Sequence, residues 1–307
     1  NNYTPPSWKK EHFLRGVEIE KAEMPDVHQK FFEHLFPKKE AREWMIDWIS
    51  NSLKRKNNSY LCLVGSQGVG KNVWSGIVGR LHENNSLETT SKVLNGEFNS
   101  EIENKTFVYV DEVSLDGPAA IDRLKALVNP KTRIEAKGAD AKTVANHISL
   151  ALGTNRHEGI ILESAEERRY SFMDITSTPL KDSPIFFSGD EASQEQLSDL
   201  INELNSNENI EKLAKFLWHR DIKANLARPY SGDKITELLE TQRKGWEQFL
   251  INYVIDSKET VIRVSDVVSM LKVQFDINVG RSKLQEAANK SQRLFTLVNR
   301  RYDGEQA

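Results

Sequence analysis

The sequence is poor in cysteine: Cys62 is the one thiol among 307 residues. A lone thiol cannot form a disulfide within the chain, so a small secreted scaffold held together by disulfides is excluded. No stretch near the start combines basic residues, an apolar core and a small-residue cleavage site, so no secretory signal is indicated. We therefore expect a reducing setting, the cytoplasm.

Long apolar runs and an excess of one charge are also missing. No run approaches the ~20 residues that a membrane-spanning helix needs, so we expect a soluble protein with no membrane partner. The chain has 42 Lys plus Arg against 45 Asp plus Glu, which gives a formal charge of −3. That near balance excludes a basic protein that coats nucleic acid.

The length predicts two domains, or one large α/β domain with appendages, at about 150 residues per domain. The first residue is Asn1 rather than Met, which we interpret as the start of a fragment of a longer protein. Four regions are predicted: a helical subdomain over 1–59, an α/β core over 60–180, an acidic linker and helical region over 181–234, and a C-terminal domain over 235–307.

Aromatic and aliphatic residues recur at helical spacing in the first region, for example at Phe31, Phe32, Trp44 and Trp48. Such a stripe occurs either in a ligand cage or on a helix face that packs against a neighbouring element. Packing is the more common case, and we expect it here.

Short apolar runs alternate with helical stretches from residue 60 onward, a pattern typical of a mostly parallel sheet. Five strands are predicted, at Tyr60–Val64, Lys92–Leu94, Phe107–Asp111, Ile148–Gly153 and Tyr170–Ile175. A hairpin is predicted from the runs 132–137 and 143–146.

The charge is unevenly distributed along the second half of the chain. Residues 181–212 hold eight acidic and two basic residues, whereas residues 258–301 hold nine basic and four acidic residues. The order of elements after residue 235, a long helix, a short strand at 261–264, two helices and a strand at 295–298, resembles a winged helix. Its second helix, near Arg281, could bind duplex DNA, dock another protein, or form a solvated surface.

A glycine-rich loop follows the first predicted strand and precedes a helical run. It consists of Gly65, Ser66, Gln67, Gly68, Val69, Gly70 and Lys71, and Asn72 comes next. Phosphate binding needs inward-pointing backbone N–H groups, a helix N-terminus and a lysine that reaches the terminal phosphates, and this spacing supplies all three. ATP with Mg²⁺ is the expected ligand; an ordinary glycine-rich turn is the alternative. Asn72 stands where a hydroxyl usually binds Mg²⁺, and its amide oxygen could do so directly or through water.

Two carboxylates, Asp111 and Glu112, end the apolar strand that begins at Phe107. In a phosphate-hydrolysing site the first would hold Mg²⁺ and the second would polarise the attacking water. Two solvated acids at a strand end are the alternative. The glycine-rich loop earlier in the same sheet favours the catalytic interpretation.

Three further residues are candidates for the same chemistry. Asn155 follows a predicted strand, and its amide could position water against the terminal phosphate. Arg168 and Arg169 precede another strand, where either could neutralise charge that develops on the phosphate, acting from a neighbouring subunit. Surface ion pairing with Glu166 or Glu167 is the alternative for the arginines.

Lys137 and Lys142 bound a run of small residues at the tip of the predicted hairpin. Lysines on a projecting tip suit contact with the phosphate backbone of single-stranded DNA. Solvated surface lysines are the alternative, which the spacing leaves open.

The order of these motifs resembles that of superfamily 3 helicases, most closely the helicase part of bacteriophage primase-helicases and primase-polymerases. The phrases that carry it are GSQGVGK (65–71), LNGEFNSEIENKTFVYVDE (94–112), LKALVNPKTRIEAKG (124–138), ISLALGTN (148–155) and EERR (166–169). The resemblance implies a P-loop ATPase of the AAA+ type, with a helical N-terminal part and a winged-helix-like C-terminal part, that assembles as a ring, usually a hexamer, around one DNA strand.

The same resemblance implies a role for each matching residue. Gly65, Gly70 and Lys71 would bind phosphates, Asp111 and Glu112 would serve Mg²⁺ and water, and Asn155 would act as the sensor. Arg168, or failing that Arg169, would act across the subunit interface, and Lys137 and Lys142 would travel with the DNA. A primase or polymerase domain would share the parent chain.

Three functions are compatible with these residues. The leading hypothesis is an ATP-driven helicase motor that translocates on single-stranded DNA during phage replication. The second is a non-unwinding AAA+ ATPase that acts as a DNA loader or replication initiator. Substitution of Lys137 and Lys142 discriminates between the two, because only the motor needs these lysines for DNA-stimulated ATP hydrolysis and unwinding. The third is a small-molecule kinase. The distant acidic pair and the basic C-terminal segment count against it, because a compact kinase needs neither.

Overall fold

The computed structural model describes residues 3–92, 99–113, 122–124, 126–135, 140–155, 169–187, 191–230, 232–233, 247, 250–251, 253–254, 262–275, 279–290, 301–302 and 305–306. The chain divides into two compact units, Asn1–Ile160 with Arg168–Lys234, and Ile161–Glu167 with Ile235–Ala307. The limits predicted at residues 59, 180 and 234 stay predictions. Within the described ranges, no helix has the length and apolarity needed to cross a membrane.

Six α-helices of the first unit have their bounds within the described residues, and short 3-10 turns occur at Ser7–Lys9, Glu83–Asn85, Ser100–Ile102 and Leu180–Asp182. The six helices are α1 Lys10–Arg15, α2 Asp26–Leu35, α3 Lys39–Ser52, α4 Lys71–His82, α5 Gln194–Leu204 and α6 Asn207–His219. The start of α5 is well defined, because the side chain of Ser193 accepts a hydrogen bond from the Gln196 N–H while the Gln196 side chain accepts one from the Ser193 N–H. This reciprocal capping satisfies two N–H groups that the first helical turn would leave unpaired.

Five strands form the central sheet, and every pair in it is parallel. They are β1 Tyr60–Val64, β2 Ser86–Thr90, β3 Phe107–Asp111, β6 Ser149–Thr154 and β7 Tyr170–Phe172, in the spatial order β2-β3-β6-β1-β7. The predicted α/β class with a five-stranded, mostly parallel sheet is confirmed. Because the strands are parallel, their carboxyl ends all lie at one edge of the sheet.

The strand predicted at Lys92–Leu94 is wrong for the part that the structure describes. Lys92 lies in a helical turn, and the second strand is β2, which ends at Thr90. This strand occupies the edge of the sheet and is only partly buried, so it needs little apolar sequence: Leu87 is its one aliphatic residue. Hydrophobic periodicity therefore provides no signal for it. The last strand ends at Phe172 rather than at Ile175.

One hydrophobic core joins the N-terminal helices to the sheet. Phe31, Phe32 and Trp48 are fully buried in it, together with Trp74 of α4 and residues of α5 and α6. The indole N–H of Trp48 donates to the Ser59 carbonyl at 3.1 Å, which satisfies its buried polar atom. The aromatic stripe is therefore packing surface, as expected, and not a ligand cage.

The predicted hairpin is present as β4 Lys131–Ile134 and β5 Lys142–Ala145, which pair antiparallel. Its tip, including Lys137, lies outside the described residues.

The second unit contains α7 Val264–Phe275 and α8 Arg281–Lys290, followed by the two-residue strands β8 Arg301–Tyr302 and β9 Glu305–Gln306. The strand predicted at 261–264 is wrong for its described part, because Ile262 and Arg263 are not in a strand and Val264 begins α7. The helix predicted near Arg281 begins at that residue. The strand predicted at 295–298 and most of the helix predicted at 235–255 lie outside the described residues.

Candidate functional site

The glycine-rich loop connects β1 to α4 at the carboxyl edge of the sheet. Its first residue, Gly65, donates its N–H to the Thr154 carbonyl at 3.2 Å, and α4 begins at Lys71. Gly70, directly before the helix, has a φ of 108°, which side-chain-bearing residues rarely adopt. A Cβ at this position would also lie 3.1 Å from the Phe31 ring. Glycine therefore allows both the turn into α4 and the close packing of α2 against it.

Residues of two other segments hold the loop from behind. The Leu180 N–H donates to the Gly68 carbonyl at 2.8 Å, and the Thr176 N–H donates to the Leu35 carbonyl of α2 at 3.0 Å. Since Phe31 of α2 packs against Gly70, the helical region before the sheet and the segment after β7 both brace the loop. A braced loop presents its N–H groups in a fixed arrangement, which phosphate binding requires.

Lys71 occupies the centre of the site and is 6% exposed. Its Nζ donates to the carbonyls of Gly65 and Ser66, at 2.7 Å each, and to Oδ1 of Asn155 at 2.6 Å. Burial lowers the pKa of this ammonium, and the nearby Asp111 carboxylate opposes that shift. A lysine with three oxygen partners at a helix N-terminus can exchange them for phosphate oxygens.

Asn155 reaches Lys71 because of the strand order. It follows β6, which lies between β1 and β3 in the sheet. Its amide therefore stands between the loop after β1 and the carboxylate at the end of β3. This is where a side chain that contacts the terminal phosphate or its attacking water is needed.

Asp111 and Asn72 contact each other across the sheet edge. The Asn72 amide Nδ2 donates to Asp111 Oδ2 at 2.9 Å, and the other carboxylate oxygen accepts the Glu112 N–H at 3.0 Å. These two bonds fix the Asp111 side chain beside the start of α4. Asn72, which stands where Ser or Thr is usual, therefore contacts Asp111, the residue predicted to bind the same Mg²⁺.

The donor set suits Mg²⁺ better than a metal held by protein ligands alone. Across the described ranges, no group of three His, Cys, Asp or Glu residues could hold a metal ion. Mg²⁺ in nucleotide sites uses one or two carboxylates, waters and the phosphates themselves. Asp111 with the Asn72 amide oxygen fits that requirement, with the nucleotide supplying the remaining ligands.

Glu112 has a φ of 49°, in the left-handed region that residues other than glycine seldom occupy. Hydrogen bonds on both sides hold this conformation: the Glu112 carbonyl accepts from Ser91 Oγ at 3.2 Å, and the Val113 N–H donates to the Gly153 carbonyl at 2.9 Å. The turn leaves the Glu112 side chain exposed at the sheet edge. Unusual backbone conformations of this kind are concentrated at functional sites.

Tyr109 and Gly153 belong to the site but were not predicted from the sequence. The buried Tyr109 hydroxyl lies 3.4 Å from Asp111 Oδ1, and burial is the main cause that raises its pKa, with Asp111 adding to it. A Cβ at Gly153 would lie 1.9 Å from the Tyr109 hydroxyl oxygen. The tyrosine two residues before Asp111 points to the same side of β3, and this spacing is the signal that could have identified it.

Arg169 is not brought to this edge within the chain. Arg169 precedes β7, and its carbonyl accepts the N–H of Tyr60, the first residue of β1. It therefore lies at the opposite edge of the sheet, about 15 Å away at 3.3 Å per strand residue. Arg168 lies outside the described residues.

Lys142 is placed on the hairpin, away from the glycine-rich loop. Its Nζ forms an ion pair with Glu103 Oε1 at 2.7 Å. Two exposed cations on the other face of the hairpin, Lys131 and Arg133, were not predicted as site residues.

Comparison with known proteins supports the fold. Residues 63–169 match a family described as a family of unknown function (DUF5906), which covers less than half of the chain. No curated protein matches the sequence. Among solved structures, an apo form of the NrS-1 C-terminal region has a TM-score of 0.66 at 17% identity, and the match covers 94% of this chain and 66% of that one.

A second apo form of the same region has a TM-score of 0.65 at 19% identity, with 94% of this chain and 66% of that chain covered. A JCV helicase with a bound small molecule is also similar, at 12% identity with 75% of this chain and 64% of that one covered, but its TM-score of 0.38 carries no argument. This chain thus spans slightly less than two thirds of the NrS-1 region. At these identities, what is shown is that the chain shares the fold of the NrS-1 C-terminal region.

Proposed function

We propose that this chain is the ATP-hydrolysing motor of a DNA helicase that translocates on single-stranded DNA. The observation that carries the proposal is the arrangement around Lys71, whose ammonium contacts two loop carbonyls and Asn155 while Asp111 lies against Asn72. A braced loop, a lysine, an amide and a carboxylate at one sheet edge are the parts that phosphoryl transfer to water requires.

In the proposed reaction, the loop N–H groups and Lys71 bind and neutralise the phosphates. Bound Mg²⁺ supplies charge neutralisation at the transferred phosphoryl group. Asp111, with the Asn72 oxygen, would hold the metal; Glu112, on its exposed turn, would orient the attacking water and accept its proton. Asn155 would report the terminal phosphate to the hairpin side of the molecule through β6.

The position of Arg169 supports assembly as a ring. Since Arg169 lies at the sheet edge opposite the glycine-rich loop of its own chain, it could serve hydrolysis only from a neighbouring subunit. We propose a ring, a hexamer, acting in phage DNA replication in the host cytoplasm. A primase or polymerase domain would belong to the same parent chain.

A loader or initiator that uses ATP without unwinding is the second candidate. One observation favours it: the Lys142 ammonium forms an ion pair with the Glu103 carboxylate, so its charge is already partnered within the chain. The two are separated by measuring ATP hydrolysis and strand separation with and without single-stranded DNA, for the wild type and Lys142→Ala. A motor requires DNA-stimulated hydrolysis and unwinding, both reduced in the variant; a loader hydrolyses ATP without separating strands.

A further inference from the structure

The two faces of the hairpin differ in their surroundings. Cross-strand partners in an antiparallel pair point to the same face, and Lys142 is paired with Ile134. Ile134 is 1% exposed and Thr132, on the same face, is 8% exposed. Lys142 therefore starts from the face that is turned toward the body of the unit.

Glu103 is the group that Lys142 meets on that side. It follows the 3-10 turn Ser100–Ile102, and the next residue, Asn104, has a φ of 64°, which asparagine tolerates better than most residues. The Glu103 Oε1 to Lys142 Nζ distance is 2.7 Å, and the side chains are 26% and 57% exposed, respectively. The pair is in contact with solvent, so its strength is modest.

The Glu103 end of the ion pair borders an open cleft, and both side chains of the pair are partly exposed. A cleft of ≈300 Å³ lies between the hairpin and the 102–105 turn, and Glu103, Ile134 and Val144 are among the residues that line it. Breaking the pair would expose little additional apolar surface. A competing anion that approaches the exposed Lys142 side chain could therefore take the ammonium without disturbing the core.

The end of β4 nearest the hairpin tip is held by separate contacts. The Asn99 N–H donates to the Glu135 carbonyl at 3.0 Å, the Asn99 side-chain oxygen accepts the Glu135 N–H at 2.8 Å, and its amide donates to the Arg133 carbonyl at 3.0 Å. Because these three bonds do not involve Lys142, release of its ammonium leaves strand β4 in place.

We propose that Glu103 competes with the phosphate backbone of single-stranded DNA for the ammonium of Lys142, an inference that rests on the proposed function. In the absence of DNA the carboxylate neutralises the lysine, and DNA must displace it in order to bind. Each subunit would then bind DNA more weakly than its cations allow. An exposed ion pair of this kind corresponds to about a 1.5- to 5-fold change in an equilibrium constant.

The test is a double-mutant cycle on the full chain. Fluorescence anisotropy of a labelled oligo(dT) strand is measured over a series of salt concentrations for the wild type, Glu103→Gln, Lys142→Ala and the double variant. Glu101→Gln is the matched control, because Glu101 is an exposed acid on the same turn. Thermal unfolding of each variant checks that the fold is retained.

Competition predicts that Glu103→Gln binds about 1.5- to 5-fold more tightly per subunit than the wild type. The salt slope should steepen by about 0.7 for each additional phosphate that the protein neutralises. Competition also predicts that Glu103→Gln does not change DNA affinity when Lys142 is already replaced by alanine. Glu101→Gln should increase DNA affinity less than Glu103→Gln does.

Unchanged or weaker binding by Glu103→Gln, while the wild type binds, would overturn the competition alone. An equal increase in affinity with Lys142 absent, or in Glu101→Gln, would also overturn it, because the effect would then be general repulsion of DNA. Binding by neither the wild type nor Glu103→Gln would overturn the proposed function as well.

Discussion

Replacing Gly153 with alanine should disturb the site through a single added methyl group. The new Cβ would lie 1.9 Å from the Tyr109 hydroxyl oxygen, 2.7 Å from its Cζ and 3.2 Å from Asp111 Oδ1. The Tyr109 ring is fully buried, so it cannot swing away into solvent. Either β6 and β3 move apart or the ring tilts and displaces the Asp111 carboxylate.

Overpacking of this kind costs about 1–3 kcal/mol of unfolding free energy. At about 2–4 °C per kcal/mol for a unit of this size, Gly153→Ala should unfold about 2–12 °C below the wild type. Calorimetry or circular dichroism measures the shift. The rate of ATP hydrolysis should fall as well, since a carboxylate displaced by about 1 Å can cost up to ~100-fold in rate.

Gly76→Ala provides the matched control. Gly76 lies within α4, and a Cβ there would meet nothing within 4 Å. Removing a glycine from a helix interior should stabilise the protein by about 0.5–1 kcal/mol. If Gly153→Ala is as stable as the wild type, the close packing of Tyr109 against this position is refuted. Combining it with Tyr109→Phe should cost less than the sum of the single changes, because the nearest atom is then absent.

Two further predictions concern α4. Asn72→Thr should keep or raise steady-state ATP turnover, since a hydroxyl suits Mg²⁺ at least as well as the amide. A large loss of turnover would show that the hydrogen bond between the Asn72 amide and Asp111 has a role of its own. The buried His82 has its pKa lowered to about 3 by burial and, to a lesser extent, by Lys9. Between pH ~6.5, the pKa of histidine in the unfolded chain, and the folded pKa of about 3, the unfolded chain binds more protons than the folded chain. The stability that the neutral imidazole contributes is therefore present above pH ~6.5 and is lost as the pH falls toward the folded pKa. From about pH 7 to about pH 5 the loss from this group is about 2 kcal/mol. Urea unfolding at both pH values should show that the unfolding free energy of His82→Gln depends less on pH than that of the wild type. An equal pH dependence in the two proteins would contradict the assignment of this loss to His82.

The sequence predicts the interior of the sheet better than its edge. The apolar runs of β1, β3 and β6 are buried in the structure, so hydrophobic pattern and structure agree. The edge strand β2 is polar because it is only partly covered, and its position could not be read from periodicity. The hairpin strands were predicted from short runs of β-branched and polar residues, and in β4 these alternate between a buried and an exposed face.

The candidate site divides in the same way. The loop around Lys71, the carboxylate of Asp111 and the amide of Asn155 each follow a strand, so parallel pairing alone brings them to one edge. Tyr109 and Gly153 could not be paired from the sequence, because their contact depends on the neighbouring position of β3 and β6. The engagement of Lys142 by Glu103 likewise depends on the register of the hairpin, which spacing does not specify.

The measurement that tests the central claim most directly is ATP hydrolysis by the full chain with and without single-stranded DNA, compared between the wild type and Lys71→Ala. The wild type should hydrolyse ATP with Mg²⁺, and DNA should stimulate it. Loss of the Lys71 ammonium, which contacts Gly65, Ser66 and Asn155, should lower the rate by about 10²–10³-fold. Hydrolysis by Lys71→Ala at the wild-type rate would contradict the assignment of this loop, and hydrolysis that DNA does not change would contradict the motor.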